Sequence, residues 1–300
     1  MTIHGLLAVW KPKGCTSHDV VAKVRRWTGQ KRAGHTGTLD PEVEGVLPVC
    51  LGQATRLVEY LQDLPKEYSA TLCLGISTET EDATGRVVER KPVSAPSNRR
   101  VEEVFETFTG EIEQIPPMYS AVKVGGRRLY ELAREGRVVD RPARKVTIHE
   151  LRLREIVEGE YPEIRFDVLC SKGTYIRTLC VDLGKALGAP AHMSSLVRTA
   201  SGPFRSEDCF GFEELREIAA RGDWERAVIP LGEVLGQLPA LVVSQEEAKQ
   251  VYDGVSLLPG ESPGESRLVR VLDETGRFLA LYRWLPDGTA KPEKVFRDVE

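Results

Sequence analysis

Three hundred residues, 41% hydrophobic and 29% charged with a net charge of −4, describe an ordinary globular chain long enough for two domains, and exclude a disordered or fibrous one. No apolar run approaches the roughly 18 residues of a membrane span, and residues 1–7 show no pattern of a secretory leader, so neither membrane nor export is expected. The six cysteines stand singly with no Cys-x-x-Cys pair, which argues against structural zinc and a disulfide framework and for the reducing cytoplasm.

In chain order, residues 5–10 read as a strand ending at Lys11-Pro12, and Ser17 as the N-cap of a helix with Val20, Val21, Val24 and Trp27 on one face, stopped by Gly29. A Gly- and Thr-rich segment (34–45) follows, then a second helix carrying Ala54, Leu57, Val58 and Leu61. Residues 69–76 read as a strand, 81–85 as a loop and 98–109 as an amphipathic helix. Residues 117–142 are basic and glycine-rich without periodicity, a mobile excursion. Val146 and Ile148 alternate out of phase with Leu151 and Leu153, which predicts a strand with a bulge. Ile164, Phe166, Val168 and Cys170 alternate cleanly as a half-buried strand, and Gly173-Thr174 opens a helix with Ile176, Leu179, Cys180, Leu183 and Leu187 on one side. Beyond a boundary near 222–240, residues 267–272 and 277–284 flank a turn, a hairpin in a small β-rich module. Strands and helices mix without regular alternation, so the class is α+β.

Charge is unevenly spread. Residues 1–40 carry seven Lys/Arg against two acids, a net of +5, while residues 207–265 carry four against thirteen, a net of −9. A phosphate backbone responds to the field within about a Debye length, ~8–10 Å, so a basic lobe on an acidic protein is a candidate RNA-facing surface; a plain solvated face is the other reading.

The most informative stretch is Gly34-His35-Thr36-Gly37-Thr38-Leu39-Asp40-Pro41. Glycines allow close approach to a ligand, and Pro41 biases Asp40 toward extended backbone, so a carboxylate stands on a stiffened loop. The Gly-Lys-Ser/Thr ending of a phosphate-cradling loop is absent.

This string resembles the catalytic motif of the pseudouridine synthases, specifically the bacterial B family that acts on the T-arm uridine of tRNA (position 55). Family-like segments continue in order at Lys11-Pro12-Lys13-Gly14-Cys15-Thr16-Ser17, at 45–56, at Lys66-Glu67-Tyr68, at 78–85, at Ser171-Lys172-Gly173-Thr174-Tyr175-Ile176-Arg177-Thr178 and at 191–198. The resemblance implies a pseudouridine-synthase fold: a mixed, mainly antiparallel sheet flanked by helices in a catalytic domain over 1–230, with an RNA-binding excursion at about 117–142. A small PUA-like RNA-binding domain over 238–300 would follow.

It also implies isomerisation of uridine: the base is flipped out, its N1–C1′ bond is cleaved, and it rejoins through C5. No redox change or group transfer occurs, so no cofactor and no metal are expected. Asp40 would start the reaction as a carboxylate; attack on C1′, addition to the base and C2′ proton abstraction stay open. Arg177 would pair with Asp40, Tyr68 would stack on the base, and Tyr175 and Leu196 would complete the pocket. His35 would fill the space left by the flipped nucleotide, and Lys11 and Arg198 would contact the RNA backbone. The expected partner is a tRNA T-arm stem-loop, met by a cytoplasmic monomer with no obligatory protein partner. Two rival functions are a non-catalytic tRNA-binding or folding module and a base-excising RNA glycosylase.

Overall fold

The computed structural model describes residues 2–258 and 267–297. Met1, 259–266 and 298–300, which fall within the expected domain spans, lie outside the described residues.

Apolar β1 (Gly5–Lys11) leads into α1 (Ser17–Thr28). Thr16 rather than Ser17 is the N-cap: its hydroxyl accepts from the Asp19 amide while the Asp19 carboxylate accepts from the Thr16 amide. Ser17 is displaced inward to a different task described below. Gly29, at φ 66°, closes the helix as expected. Short β2 (Ala33–His35) and long β3 (Glu44–Leu51) follow, pairing antiparallel. The expected second helix is a 3-10 turn over Gly52–Leu57 that continues as α2 (Val58–Gln62). Its apolar periodicity still buries Ala54, Leu57 and Leu61.

Then come β4 (Lys66–Leu74), a small ribbon of β5 (Ile76–Thr78) and β6 (Val87–Arg90), α3 (Asn98–Phe108) and β7 (Gly110–Gln114). The excursion carries regular structure that its lack of periodicity concealed. β8 (Lys123–Val124) and β9 (Arg127–Arg128) join through Gly125 and Gly126, both at positive φ as a tight hairpin turn requires, and α4 (Leu129–Arg134) buries Leu129 and Leu132. β10 (Arg144–Val157) shifts register between Ile148 and Glu150, the bulge expected from the phase change, and again between Leu153 and Glu155. β11 (Glu163–Cys170), α5 (Ile176–Ala186) and β12 (Ala191–Ser201) complete the centre. β13 (Phe204–Arg205), α6 (Phe212–Arg221) and β14 (Val228–Pro230) close this part of the chain.

The large sheet runs β14-β1-β3-β12-β4-β11-β10-β7, with β13 beside β12 and β2 beside β3. Its pairs are antiparallel except β3–β12, where Gly45 lies opposite Arg198. α3 and α5 cover one face, burying Val101, Phe105, Leu179 and Leu183 against Leu72, Phe166 and Val168. α1 and α6 cover part of the other with Val20, Val24 and Leu215.

After α7 (Leu231–Val234), β15 (Ala240–Val243), α8 (Gln245–Tyr252), β16 (Leu268–Asp273), β17 (Phe278–Trp284) and β18 (Ala290–Val295) form the C-terminal module, a four-stranded sheet in the order β15-β16-β17-β18. Phe278, Leu281 and Phe296 share one apolar cluster with Leu6, Ala8 and Val46 of the large sheet and Leu57 of the 3-10 turn. At about 1.5–3 kcal/mol per fully buried large apolar side chain, that shared core is a firm joint. Arg56 adds to it, donating to the Val295 carbonyl at 2.5 Å with its guanidinium over the Phe296 ring.

Candidate active site

The loop 36–43 connects β2 to β3 and is held at several points. Leu39 and Val43, each 4% exposed, plug into the core under α5 on either side of Asp40. The Ser17 hydroxyl accepts from the Leu39 amide at 2.8 Å and donates to its carbonyl at 3.2 Å. The Lys11 ammonium donates to the carbonyls of Pro12, Pro41 and Val43 at 2.9, 3.1 and 2.6 Å. Gly14 adds an amide donated to Pro41. The Asp40 carboxylate therefore stands on backbone whose polar groups are already paired within the protein.

Asp40 opens into a cavity of about 570 Å³ between β4, β12, the 171–175 loop and the start of α5, lined also by Tyr68, Tyr175, Arg177 and Leu196. That volume suits a nucleoside-sized ligand. Arg177 reaches the Asp40 Oδ2 with Nη2 at 3.2 Å. The same guanidinium donates to the carbonyls of Tyr119 (2.8 Å) and Thr80 (3.2 Å) and meets the Asp82 carboxylate at 3.5 Å. Asp82 is fixed in turn by the Thr80 hydroxyl (2.7 Å) and the Thr84 amide (2.9 Å). The turn that presents Asp82 includes Glu81 at φ 65°, a left-handed conformation costly for a side-chain-bearing residue. Burial raises the Glu81 carboxyl pKa, opposed by the Thr178 hydroxyl bonded to it and by Arg177.

Tyr68 sits in register with Arg198 on the neighbouring strand, and burial raises its phenol pKa above the ordinary value, which keeps it neutral. Tyr175 is held through its backbone: the Gln114 amide group donates to its carbonyl at 3.2 Å and accepts from its N–H at 3.0 Å. Leu196 is nearly buried on β12. His35 lies half-buried at the end of β2, its Nδ1 accepting from the Gly37 amide at 3.2 Å. Burial, then Arg198 and His18, lower its pKa, so it is neutral at physiological pH.

Two expected RNA-backbone contacts are placed differently. Lys11 is 0% exposed and its three N–H groups are spent on carbonyls, so it holds the Asp40 loop rather than an outer phosphate. Arg198, 1% exposed, donates to Val46 (2.7 Å) and Gly37 (3.1 Å) and forms part of the pocket wall. Arg198 lies beneath the surface because β12 pairs with β3, and Lys11 because the chain on either side of Asp40 wraps its carbonyls around the ammonium.

Sequence reasoning assigned no part to Asp82, Gln114 or Lys66. The alternation Thr78-x-Thr80-x-Asp82-x-Thr84 was a readable sign of a carboxylate fixed by hydroxyls. Lys66 lines the cavity at 6% exposure and donates to the carbonyls of Gln62 and Leu64; burial lowers its pKa to about 8. Among the described residues no cluster of three or more His, Cys, Asp or Glu is arranged to hold a metal ion.

The arrangement offers an oriented carboxylate, an aromatic ring and an apolar wall around a space that a planar base could fill.

Residues 25–176 match the TruB family pseudouridylate synthase N-terminal domain, and residues 177–243 match the tRNA pseudouridylate synthase B C-terminal domain. The chain is 49% identical over 304 residues to tRNA pseudouridine synthase B of Bacillus licheniformis, covering 97% of each chain. It is 55% identical over 257 residues to tRNA pseudouridine synthase B of Geobacillus kaustophilus, covering 84% of this chain and 90% of the relative. Among solved structures it is similar to a chain of an H/ACA RNP bound to a substrate RNA containing 2′-deoxyuridine (TM-score 0.76, 27% identity) and to one of a Cbf5-Nop10-Gar1 complex (TM-score 0.76, 29% identity), each covering 99% of this chain and 86% of the other.

Proposed function

This chain belongs to the TruB family of pseudouridylate synthases and is an isomerase acting on tRNA uridine; from that premise we propose that its target is the uridine of the T-arm loop, flipped into the cavity where the Asp40 carboxylate starts the reaction. The observation that carries this reading is the Asp40 carboxylate at the cavity, faced at 3.2 Å by a buried arginine.

Arg177 aims the carboxylate by a charge-assisted contact, while its other donors are tied to Tyr119, Thr80 and Asp82. The N1–C1′ bond breaks and the detached base turns within the cavity. C5 then bonds to C1′, the C5 proton leaves to water and N1 takes one up, so the RNA keeps its mass. Tyr68 stacks on the base through these steps, and Leu196 and Tyr175 confine it. Flipping costs a few kcal/mol, which stacking and phosphate contacts offset. His35, neutral at the rim, occupies the gap left in the loop. The excursion and the C-terminal module grip the stem. Isomerisation passes no electrons and no group to an outside acceptor, so the proposed reaction calls for no cofactor.

The test is incubation with T-arm RNA followed by carbodiimide mapping of pseudouridine. Modification at the T-loop uridine supports the reading; folded protein that leaves that uridine unmodified overturns the substrate assignment, and free uracil with an abasic RNA would make the enzyme a glycosylase.

A further inference from the structure

The chain carries 45 acids against 41 bases, and many of its surface cations sit beside carboxylates: Arg86 beside Glu79, Arg99 beside Glu103, Arg152 beside Glu150, Arg165 beside Glu155, Arg283 beside Glu293. The end of α1 is different. Among the described residues, no carboxylate lies within 4.0 Å of Arg25, Arg26, Lys31 or Arg32, at the end of α1 and in the turn to β2. The single acid in residues 1–39 is Asp19, and it is occupied in capping α1.

These cations are also shaped. Arg25, Arg26 and Lys31, with Gly29 and Gln30 between them, line a surface groove. Gly29 in its left-handed conformation turns the chain so that Lys31 comes back beside the last turn of α1. Arg25 and Arg32 are partly tied, to the Ala33 carbonyl and the Thr55 hydroxyl, whereas the side chains of Arg26 and Lys31 are exposed and make no hydrogen bond within the described residues.

The groove is continuous with the site. β2 starts from Arg32 and runs toward the loop bearing Asp40, with Ala33 opposite Leu51 and His35 opposite Val49; Gly45, at the other end of β3, meets Arg198 in the cavity wall. Six residues of strand, about 20 Å, separate the two ends. A nucleotide in the cavity thus leaves its own stem within reach of the groove.

We infer that this groove is a second RNA-contacting surface, binding phosphates of the tRNA body away from the flipped nucleotide. It rests on tRNA being the substrate, and assigns to the surface affinity without sequence preference. Lone cations without internal partners are what a polyphosphate needs, since each contact releases a counterion rather than breaking an existing pair.

The test compares Arg26→Glu/Lys31→Glu and the milder Arg26→Gln/Lys31→Gln with Arg99→Glu/Arg152→Glu, which makes the same change in net charge as the first pair at cations that already have partners. Each is measured for tRNA binding across a salt series and for turnover. Removal of two phosphate contacts should flatten the slope of log affinity against log salt by about 1.5–2 and raise KM about tenfold, with kcat falling less than twofold. The Gln pair should show a smaller change in the same direction, and carries the test if the Glu pair melts early. An unchanged slope and KM, or an equal loss in the Arg99/Arg152 variant, would overturn the assignment. Binding is read apart from turnover: a wild-type chain that binds tRNA with a steep salt slope but forms no pseudouridine contradicts the reading of the cavity and leaves the groove standing.

Discussion

Arg177 reaches Asp40 from inside the protein: its side chain is 7% exposed, whereas that of the carboxylate 3.2 Å away is 45% exposed. One partner is immobilised by the fold and the other presented to a ligand. The buried guanidinium is not left to Asp40 alone, because Asp82 and two carbonyls share it. Replacing Arg177 with Met should therefore lower turnover by at least about 100-fold and cost roughly 2–4 kcal/mol of stability, since Asp82 would be left without its charge partner. Arg177→Lys should recover part of the stability but little of the activity, because an ammonium cannot reproduce the forked contacts. Paired denaturation and single-turnover measurements check both.

Lys11 gives a second prediction. Its three carbonyl partners make it a clamp on the Asp40 loop. Lys11→Met should lower the unfolding free energy by about 2–4 kcal/mol while leaving the salt slope of tRNA binding unchanged. A slope reduced by about one at unchanged stability would mean that Lys11 contacts phosphate after all.

Gly45 is a third point of test. At φ +126°, a Cβ there would lie 2.2 Å from the Arg198 carbonyl oxygen and 2.7 Å from its amide nitrogen, both backbone atoms that cannot swing aside. Gly45→Ala should push β3 from β12 and cost on the order of 3 kcal/mol or more. Gly29→Ala meets no neighbour and carries only the penalty of a left-handed conformation, about 1 kcal/mol. Thermal melts of the two variants should differ in that order.

Lys66 ties stability to pH. Burial lowers its pKa from 10.5 to about 8, so the unfolded chain binds the extra proton between those values. Stability contributed by this residue must then rise as pH increases from about 8 to about 10.5, and be lowest below 8, where the buried ammonium is charged. With water reaching part of the site, the effect is on the order of 1–2 kcal/mol. Unfolding free energies of the wild type minus those of Lys66→Met, taken across that window, should increase with pH; a flat or falling difference would refute the burial argument.

Much of this could be read from local pattern. The strand over Glu163–Cys170 follows from alternation alone, the first of the two bulges of β10 from a change of phase, and the end of α1 from one glycine. The Asp40 loop and Arg177 were legible as motifs. The support around them was not, because it is built across long separations: Ser17 to Leu39, Gln114 to Tyr175, Thr80 to Arg177. Lys11 and Arg198 illustrate the limit most clearly. A cation in sequence suggests an outward charge, and only the folded path of the Asp40 loop around Lys11 and the pairing of β3 with β12 beside Arg198 show that these two are enclosed by carbonyls. The excursion concealed a hairpin and a helix because elements of two to six residues are too short to show a period.

Tritium release from T-arm RNA labelled at C5 of its uridines addresses the role of Asp40 most directly, since the C5 proton is lost only when the base rejoins through that carbon. The wild type should release one tritium for each pseudouridine formed, and Asp40→Asn, folded and binding the same RNA with the same salt slope, should release none above background. Release by the Asn variant at a rate near that of the wild type would contradict the assignment of the chemistry to this carboxylate.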